Sequence, residues 1–122
     1  MTELASTMTL REIASQAAQA ISVLSELTHG DGELSNPGDV RAIVRSLELI
    51  GQDLPQLYEQ LARFLVVQHE DGQLANADGA DANDCVTEVI EALAAAGQAA
   101  DMMTAALTEA RAASQVINEK PA

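Results

Sequence analysis

Apolar residues recur at alternating intervals of three and four along three separate stretches of the chain, a pattern typical of amphipathic helices. The first stretch follows Thr9, which forms a capping box with Glu12, and it stops at Gly30. It predicts a helix over about residues 10–28, preceded by a disordered tail of residues 1–8. The apolar positions of this helix are Leu10, Ile13, Ala17, Ala20, Leu24 and Leu27.

The second stretch begins at Asn36-Pro37, where Asn suits the N-cap and Pro suits the first helical position. Pro55 lacks an N–H and conflicts with the carbonyl of Gly51, yet the three-four rhythm crosses both residues without losing phase. We therefore predict one helix over about residues 38–68, kinked near Gly51-Pro55. A split there, which would give four helices, is the alternative. The apolar stripe is Val40, Ile43, Leu47, Ile50, Leu54, Leu57, Leu61 and Phe64.

An acidic linker over residues 70–84, rich in Asp, Asn and Gly, separates this helix from the last one. The third helix is predicted over about residues 84–117, and Gly97 within it is expected to allow another helix to approach closely. Its stripe is Val86, Val89, Leu93, Ala96, Ala100, Met103, Leu107, Ala110, Ser114 and Ile117. The three elements predict a single all-α domain over residues 1–122, an antiparallel bundle of three helices with coiled-coil-like packing.

The predicted helices differ in length, because at ~1.5 Å per residue they extend about 28, 46 and 54 Å. The first helix is too short to cover the end of the second and the start of the third, where large apolar residues cluster. Each such side chain left in water forgoes roughly 1.5–3 kcal/mol. We therefore predict a homodimer, with a helix of another protein as the alternative. The expected interface anchors are Tyr58, Leu61, Phe64, Leu65, Val86, Val89 and Ile90.

The net charge of −13, from 19 acidic and six basic residues, limits the partners. It argues against direct contact with nucleic acid or an anionic membrane, both of which require clustered Lys and Arg. A basic protein partner is compatible with it. Cys85 is the only cysteine, and the N-terminal residues do not resemble a signal peptide, so we expect a reducing, cytoplasmic location. No apolar run approaches the ~20 residues of a membrane span.

Two similar hexapeptides, HGDGEL at residues 29–34 and HEDGQL at residues 69–74, raise the possibility of a duplicated site. Helix termination explains their shared residues, since His suits the last turn and Gly supplies the left-handed stop. We expect no metal and no cofactor at either place. The acidic linker is a candidate Ca²⁺ site, but the EF-hand spacing fails in every register, and we favour a solvated acidic loop over Ca²⁺ binding.

An enzymatic alternative depends on Arg63 and His69, which form the motif R-x5-H at the end of a helix. This motif resembles the R-x4–6-H signature of HEPN-type ribonucleases, an all-helical family in which Arg and His act on the scissile phosphate. The resemblance implies that Arg63 and His69 would be the catalytic residues, meeting across a dimer interface. The family usually has a polar residue after the Arg, whereas this chain has Phe64.

The favoured interpretation is a small, acidic, non-enzymatic protein that acts through helix packing, as an adaptor, chaperone or regulatory subunit. The first alternative is an acidic inhibitor or nucleic-acid mimic that binds a basic partner. The second is the ribonuclease.

Overall fold

A computed structural model describes residues 8–29, 34–79, 81–118 and 120, and the described residues form an all-α fold. The three helices are α1 (Leu10–Leu27), α2 (Pro37–Glu70) and α3 (Asn83–Ser114). The predicted all-α class and the three helices are therefore confirmed, with each helix end within about three residues of its predicted position. The predicted disordered tail falls mainly on residues 1–7, which lie outside the described residues.

The N-termini of α1 and α2 are fixed by the capping residues that the sequence indicates. The hydroxyl of Thr9 accepts a hydrogen bond from the backbone N–H of Glu12 at 3.1 Å and donates one to the Glu12 carboxylate at 3.0 Å. The side chain of Asn36 accepts from the N–H of Asp39 at 3.2 Å, and Pro37 begins the helix. These bonds satisfy donors that have no partner within a helix.

Helix α2 is continuous for 34 residues and contains Pro55 in its interior. The alternative of a split at Gly51-Pro55, with a fourth helix, is therefore wrong. Proline removes one hydrogen bond from a helix, but the turns on both sides of Pro55 pack against α3. Tertiary packing of this kind, more than local propensity, decides whether a helix persists.

Helices α2 and α3 form a long antiparallel hairpin, and cross-helix neighbours fix its alignment. Arg41 near the start of α2 bonds to the end of α3, and His69 at the end of α2 lies beside Asn83 at the start of α3. Between these two ends, the residue numbers of neighbouring positions rise along α2 as they fall along α3. These neighbours are Glu48 with Thr108 and Arg111, Gly51 with Thr104, and Pro55 with Gly97.

The second half of α1 borders the first half of α2, and α1 contributes little to the core. Two clefts between these helices are lined by Ile21 and Leu24 of α1 together with Ile43, Leu47 and other residues of α2. No residue of α1 is buried, and Leu10 at its start is 86% exposed. The α2–α3 hairpin is therefore the structural centre of the chain, and α1 covers only part of it.

The end of α2 has the hydrogen bonding of a Schellman termination. Gly72 adopts a positive φ of 72°, its N–H bonds to the carbonyl of His69 at 3.0 Å, and the N–H of Gln73 bonds to the carbonyl of Gln68 at 2.9 Å. This confirms the interpretation of HEDGQL as a helix ending. In HGDGEL, Gly30 and the three residues after it lie outside the described residues.

Gly97 lies opposite Pro55, and a Cβ added to it would meet the Cα of Pro55 at 3.8 Å, an ordinary van der Waals distance. The predicted close approach at Gly97 is confirmed, and it leaves room for one methyl group. We expect Gly97→Ala to stabilise the protein by about 0.5–1 kcal/mol, because alanine has the higher helix propensity. Urea unfolding at one fixed protein concentration measures this. An unfolding midpoint below that of the parent would contradict the expected fit.

Candidate interaction surface

The interface between α2 and α3 contains a buried charged cluster centred on Glu48, which is only 2% exposed. Arg111 donates from Nε to Glu48 Oε1 at 2.6 Å and from Nη2 to Oε2 at 3.3 Å. Thr108 donates its hydroxyl to Oε2 at 2.7 Å, and Arg45 approaches the same oxygen at 3.6 Å. Two residues of α3 therefore donate three hydrogen bonds to the carboxylate, and Arg45 of α2 adds an ion pair.

These contacts change the acidity of the carboxyl group. The hydrogen bonds from Arg111 and then Thr108 lower the pKa of Glu48 from 4.5 to about 2, against the opposing effect of burial. The same hydrogen bond to Glu48 raises the pKa of Arg111. Both groups are thus charged near neutral pH, and each compensates the other inside the hairpin.

The α2 positions that meet α3 are not those of the predicted apolar stripe. Each contact position from Arg41 to Leu65 follows a stripe residue by one place, and several of them are polar or small, including Arg41, Glu48 and Gly51. Arg41 donates from Nη1 to the carbonyls of Ser114 at 2.7 Å and Ile117 at 2.8 Å, capping the end of α3. Residues at contact positions on α2 are Arg41, Val44, Glu48, Gly51, Pro55, Tyr58, Ala62, Leu65 and His69.

The stripe itself remains largely accessible on one side of the hairpin. Leu57, Leu61 and Phe64 are 47%, 49% and 62% exposed. An antiparallel helix pair has a local two-fold axis perpendicular to the plane that contains both helices. Residues that precede contact positions therefore lie on the same side of the hairpin in both helices. On α3 these residues include Val89 and Met103. Accordingly, Met103 Cε lies 3.0 Å from the place that a Cβ on Gly51 would take.

We call this side the uncharged face, because no position on it carries a charged residue. On α2 the uncharged face consists of Val40, Ile43, Leu47, Ile50, Leu54, Leu57, Leu61 and Phe64. On α3 it consists of Cys85, Val89, Ala92, Ala96, Ala99, Met103, Ala106, Ala110 and Ala113. Large side chains therefore come from α2, and small ones mainly from α3.

The opposite side of the hairpin has a different character. The positions that follow contact residues there include Arg45, Glu59, Arg63, Glu91 and Asp101. A cleft of about 370 Å³ opens on this side, with Pro55, Tyr58 and Gly97 among its lining residues and Glu59 and Asp101 also at its wall. The charged side is therefore suited to water, whereas the uncharged face is suited to contact with apolar groups.

The structure divides the seven predicted interface anchors into two groups. Tyr58, Leu65, Val86 and Ile90 occupy contact positions between α2 and α3, where all four are buried or half-buried. The other three anchors project from the uncharged face and are 41–62% exposed: Leu61, Phe64 and Val89. Only the second group is free to meet another chain, and intermolecular contact by these residues stays a prediction.

The structure places Arg63 and His69 in separate environments. Arg63 pairs with Glu59 at 2.9 Å on the exposed, charged side of α2. His69 Nε2 lies 3.3 Å from Asn83 Oδ1, at the end of the hairpin. Six residues apart on a helix, the two side chains point in directions about 120° apart. Within one subunit they do not face a common substrate position.

The remaining candidate chemistry is sparse among the residues that the structure describes. In that part of the chain, no group of three or more His, Cys, Asp and Glu side chains could hold a metal ion. Cys85 is exposed at the start of α3. None of the helices in the described ranges is both long enough and apolar enough to cross a membrane.

Sequence reasoning missed the cluster of Glu48, Thr108 and Arg111. The signal that could have revealed it is a second three-four series, offset by one residue from the apolar stripe, in which Glu48 on α2 and Arg111 on α3 each occupy a contact position. Glu48 is the only acid in the α2 series, and Arg111 is the only base in the α3 series. An antiparallel alignment of the two helices can bring these two residues together as an ion pair.

Comparison with known proteins gave no relative: no protein-family model, no curated protein sequence and no solved structure matches the chain.

Proposed function

We propose that this protein is a non-enzymatic interaction protein, an adaptor, chaperone or regulatory subunit, that binds polypeptide through the uncharged face. The observation that carries the proposal is the contrast between this face and the rest of the chain. A protein of net charge −13 keeps one whole side of a 34-residue helix and its partner helix free of charge. Exposed apolar surfaces of this extent mark interaction sites in soluble proteins.

The form of the uncharged face favours a helical partner. Its α2 residues repeat at helical spacing and project Leu, Ile and Phe, while α3 contributes alanines that allow a helix to approach closely. Amphipathic helices bind such surfaces through their own three-four repeat. Self-association is included in this proposal, because a second copy carries the same complementary repeat. The single exposed thiol of Cys85 suits a reducing, cytoplasmic setting.

Site-specific photocrosslinking in the native host tests the proposed function. A photoreactive phenylalanine analogue at Leu57, which lies on the uncharged face, is expected to form covalent adducts with polypeptide. The matched control carries the same analogue at Gln56, one residue away and directed about 100° from it. Both sites are exposed, so both variants should fold. Equal adduct yields from the two positions, or none from either, would refute a role for this face.

A further inference from the structure

We infer that a second copy of this chain occupies the second half of the uncharged face, packed antiparallel about a two-fold axis beside Leu61. This inference rests on the proposed function and specifies its first partner. The surfaces that meet are the stripe of α2 beyond Ile50 and the α3 residues level with it, from Val89 to Met103. The result is a four-helix core made from two hairpins.

The exposed area of the chain is the first argument for a second copy. The chain exposes 9375 Å², whereas a compact monomer of 12.8 kDa exposes about 6300 Å². When the largest area that an unfolded chain of the same mass could expose is subtracted for the residues outside the described ranges, an excess of about 900 Å² remains. Two copies that each bury this excess share about 1800 Å², the size of a standard specific protein–protein interface.

Charge is the second argument. With a net charge of −13 on each chain, two copies repel one another at most relative orientations. Contact through the uncharged face places no carboxylate of one copy against a carboxylate of the other. It also removes from water the side chains that are most costly to leave exposed, among them Leu57, Leu61 and Phe64.

The position of α1 selects the half of the face that is free. Ile21 and Leu24 of α1 line a cleft with Ile43, Leu47 and Ile50, so α1 borders the first half of the stripe, and no described cleft joins α1 to α2 beyond Ile50. The free half of α2 runs from residue 51 to residue 70, about 28 Å. The second copy is therefore placed over this half, beyond the α2 residues that α1 borders.

Charge in the linker sets the direction of the second copy. Five acids and no base lie at one end of the hairpin, in residues 70–84: Glu70, Asp71, Asp78, Asp81 and Asp84. An axis parallel to the helices would place both linkers at the same end of the dimer. An axis perpendicular to the helices places the two linkers at opposite ends of the dimer, which separates the acids.

The midpoint of the free half lies between Gln60 and Leu61, which fixes the expected pairs. Leu61 meets Leu61 of the second copy beside the axis, and Leu57 meets Phe64 of the second copy. On α3, Val89 lies opposite Ala96 of the second copy. The pattern is self-complementary, as a two-fold contact requires.

Cysteine crosslinking of the full-length chain tests both the partner and the geometry. In a Cys85→Ser background, Leu61→Cys is expected to form a disulfide-linked dimer under mild oxidation. Leu54→Cys lies on the same face, but its two copies would be about 20 Å apart, beyond the ~7 Å that a disulfide spans. Gln56→Cys, on the charged side, is the second control. Dimer yield from either control that matches the yield from Leu61→Cys would overturn the geometry.

Light scattering of the parent chain completes the test. The expected mass is twice 12.8 kDa, falling to the single-chain value in Leu57→Glu but not in Gln56→Glu. A parent mass of a single chain at every concentration would overturn the second copy as occupant. If photocrosslinking at Leu57 still captured other proteins in that case, the proposed function would stand without this inference. If it captured none, both would fail.

Discussion

Arg111→Ala is expected to lower the melting temperature more than the loss of any other single ion pair described in this fold. The substitution leaves the Glu48 carboxylate, which is 2% exposed, without its bidentate partner. Thr108 and the more distant Arg45 cannot replace two charge-assisted hydrogen bonds. An uncompensated charge inside a helix pair is among the most destabilising single changes in proteins.

Circular dichroism melts of the variant and two controls measure this effect. Arg45→Ala removes only the 3.6 Å approach to Glu48, and Arg63→Ala removes the exposed pair with Glu59 at 2.9 Å. Exposed pairs contribute little, about 0–1 kcal/mol. Equal melting temperatures for Arg111→Ala and Arg63→Ala would show that the burial of Glu48 carries no energetic weight.

The pH dependence of stability should report on the same cluster. The folded-state pKa of Glu48 is about 2, below its ordinary value of 4.5. The stability that the charged carboxylate provides is therefore complete above pH 4.5 and lost progressively as the pH falls towards 2. Other carboxylates titrate in the same window, so the informative quantity is the difference between the parent and Glu48→Gln.

That difference in melting temperature is expected to be largest near neutral pH and to shrink below about pH 4.5, as Glu48 loses its charge in the parent. Glu91→Gln, which alters an exposed acid on the charged side, controls for the change in net charge. A difference that stays constant down to about pH 2.5 would contradict the assignment of a lowered pKa to Glu48.

The second large effect is expected at Gly51, where Gly51→Leu should destabilise the protein by about 3 kcal/mol, at the upper end of overpacking costs. Gly51 is buried against α3, and a Cβ there would overlap the hydroxyl of Thr104 and lie 3.0 Å from Met103 Cε. Thr104 cannot easily move, because its hydroxyl donates to the carbonyl of Ala100 at 2.8 Å. The gain in helix propensity, about 1 kcal/mol, is too small to offset the overlap.

Urea unfolding at fixed protein concentration measures the loss, with Gln52→Leu as the matched control. Gln52 is the next residue of the same helix turn and is exposed, so it accepts the same side chain without overlap. The comparison separates overpacking from the general effect of adding leucine to α2. Equal midpoints for the two variants would mean that the hairpin can open at Gly51 at no cost.

The parts of the fold that the sequence predicted are those governed by local chemistry. Thr9, Asn36-Pro37 and Gly72 each act through backbone hydrogen bonds within a few residues, so their roles are visible in the sequence itself. Gly97 was also recognisable, because a glycine inside an apolar helix has few purposes other than close approach. The continuity of α2 through Pro55 followed from the unbroken phase of its stripe.

The face of α2 that meets α3 was not predictable in the same way. Two series with the same spacing run along α2, one residue or about 100° apart, and the more apolar series was the natural choice for the core. The structure buries the other series, which contains Arg41, Glu48 and Gly51, because its polar members find partners on α3. Such pairing depends on residues more than sixty positions away, which local patterns do not report.

The ion pair between the buried Glu48 and the half-buried Arg111 also favours one alignment of the hairpin over others. Apolar contacts alone would tolerate sliding, since an alanine-rich helix offers similar packing every seven residues. A slide of one heptad, about 10 Å, would carry the carboxylate away from its guanidinium and leave the buried Glu48 without its partner. This one ion pair therefore sets the register of α2 against α3. The register in turn sets which leucines of α2 lie level with which alanines of α3 on the uncharged face.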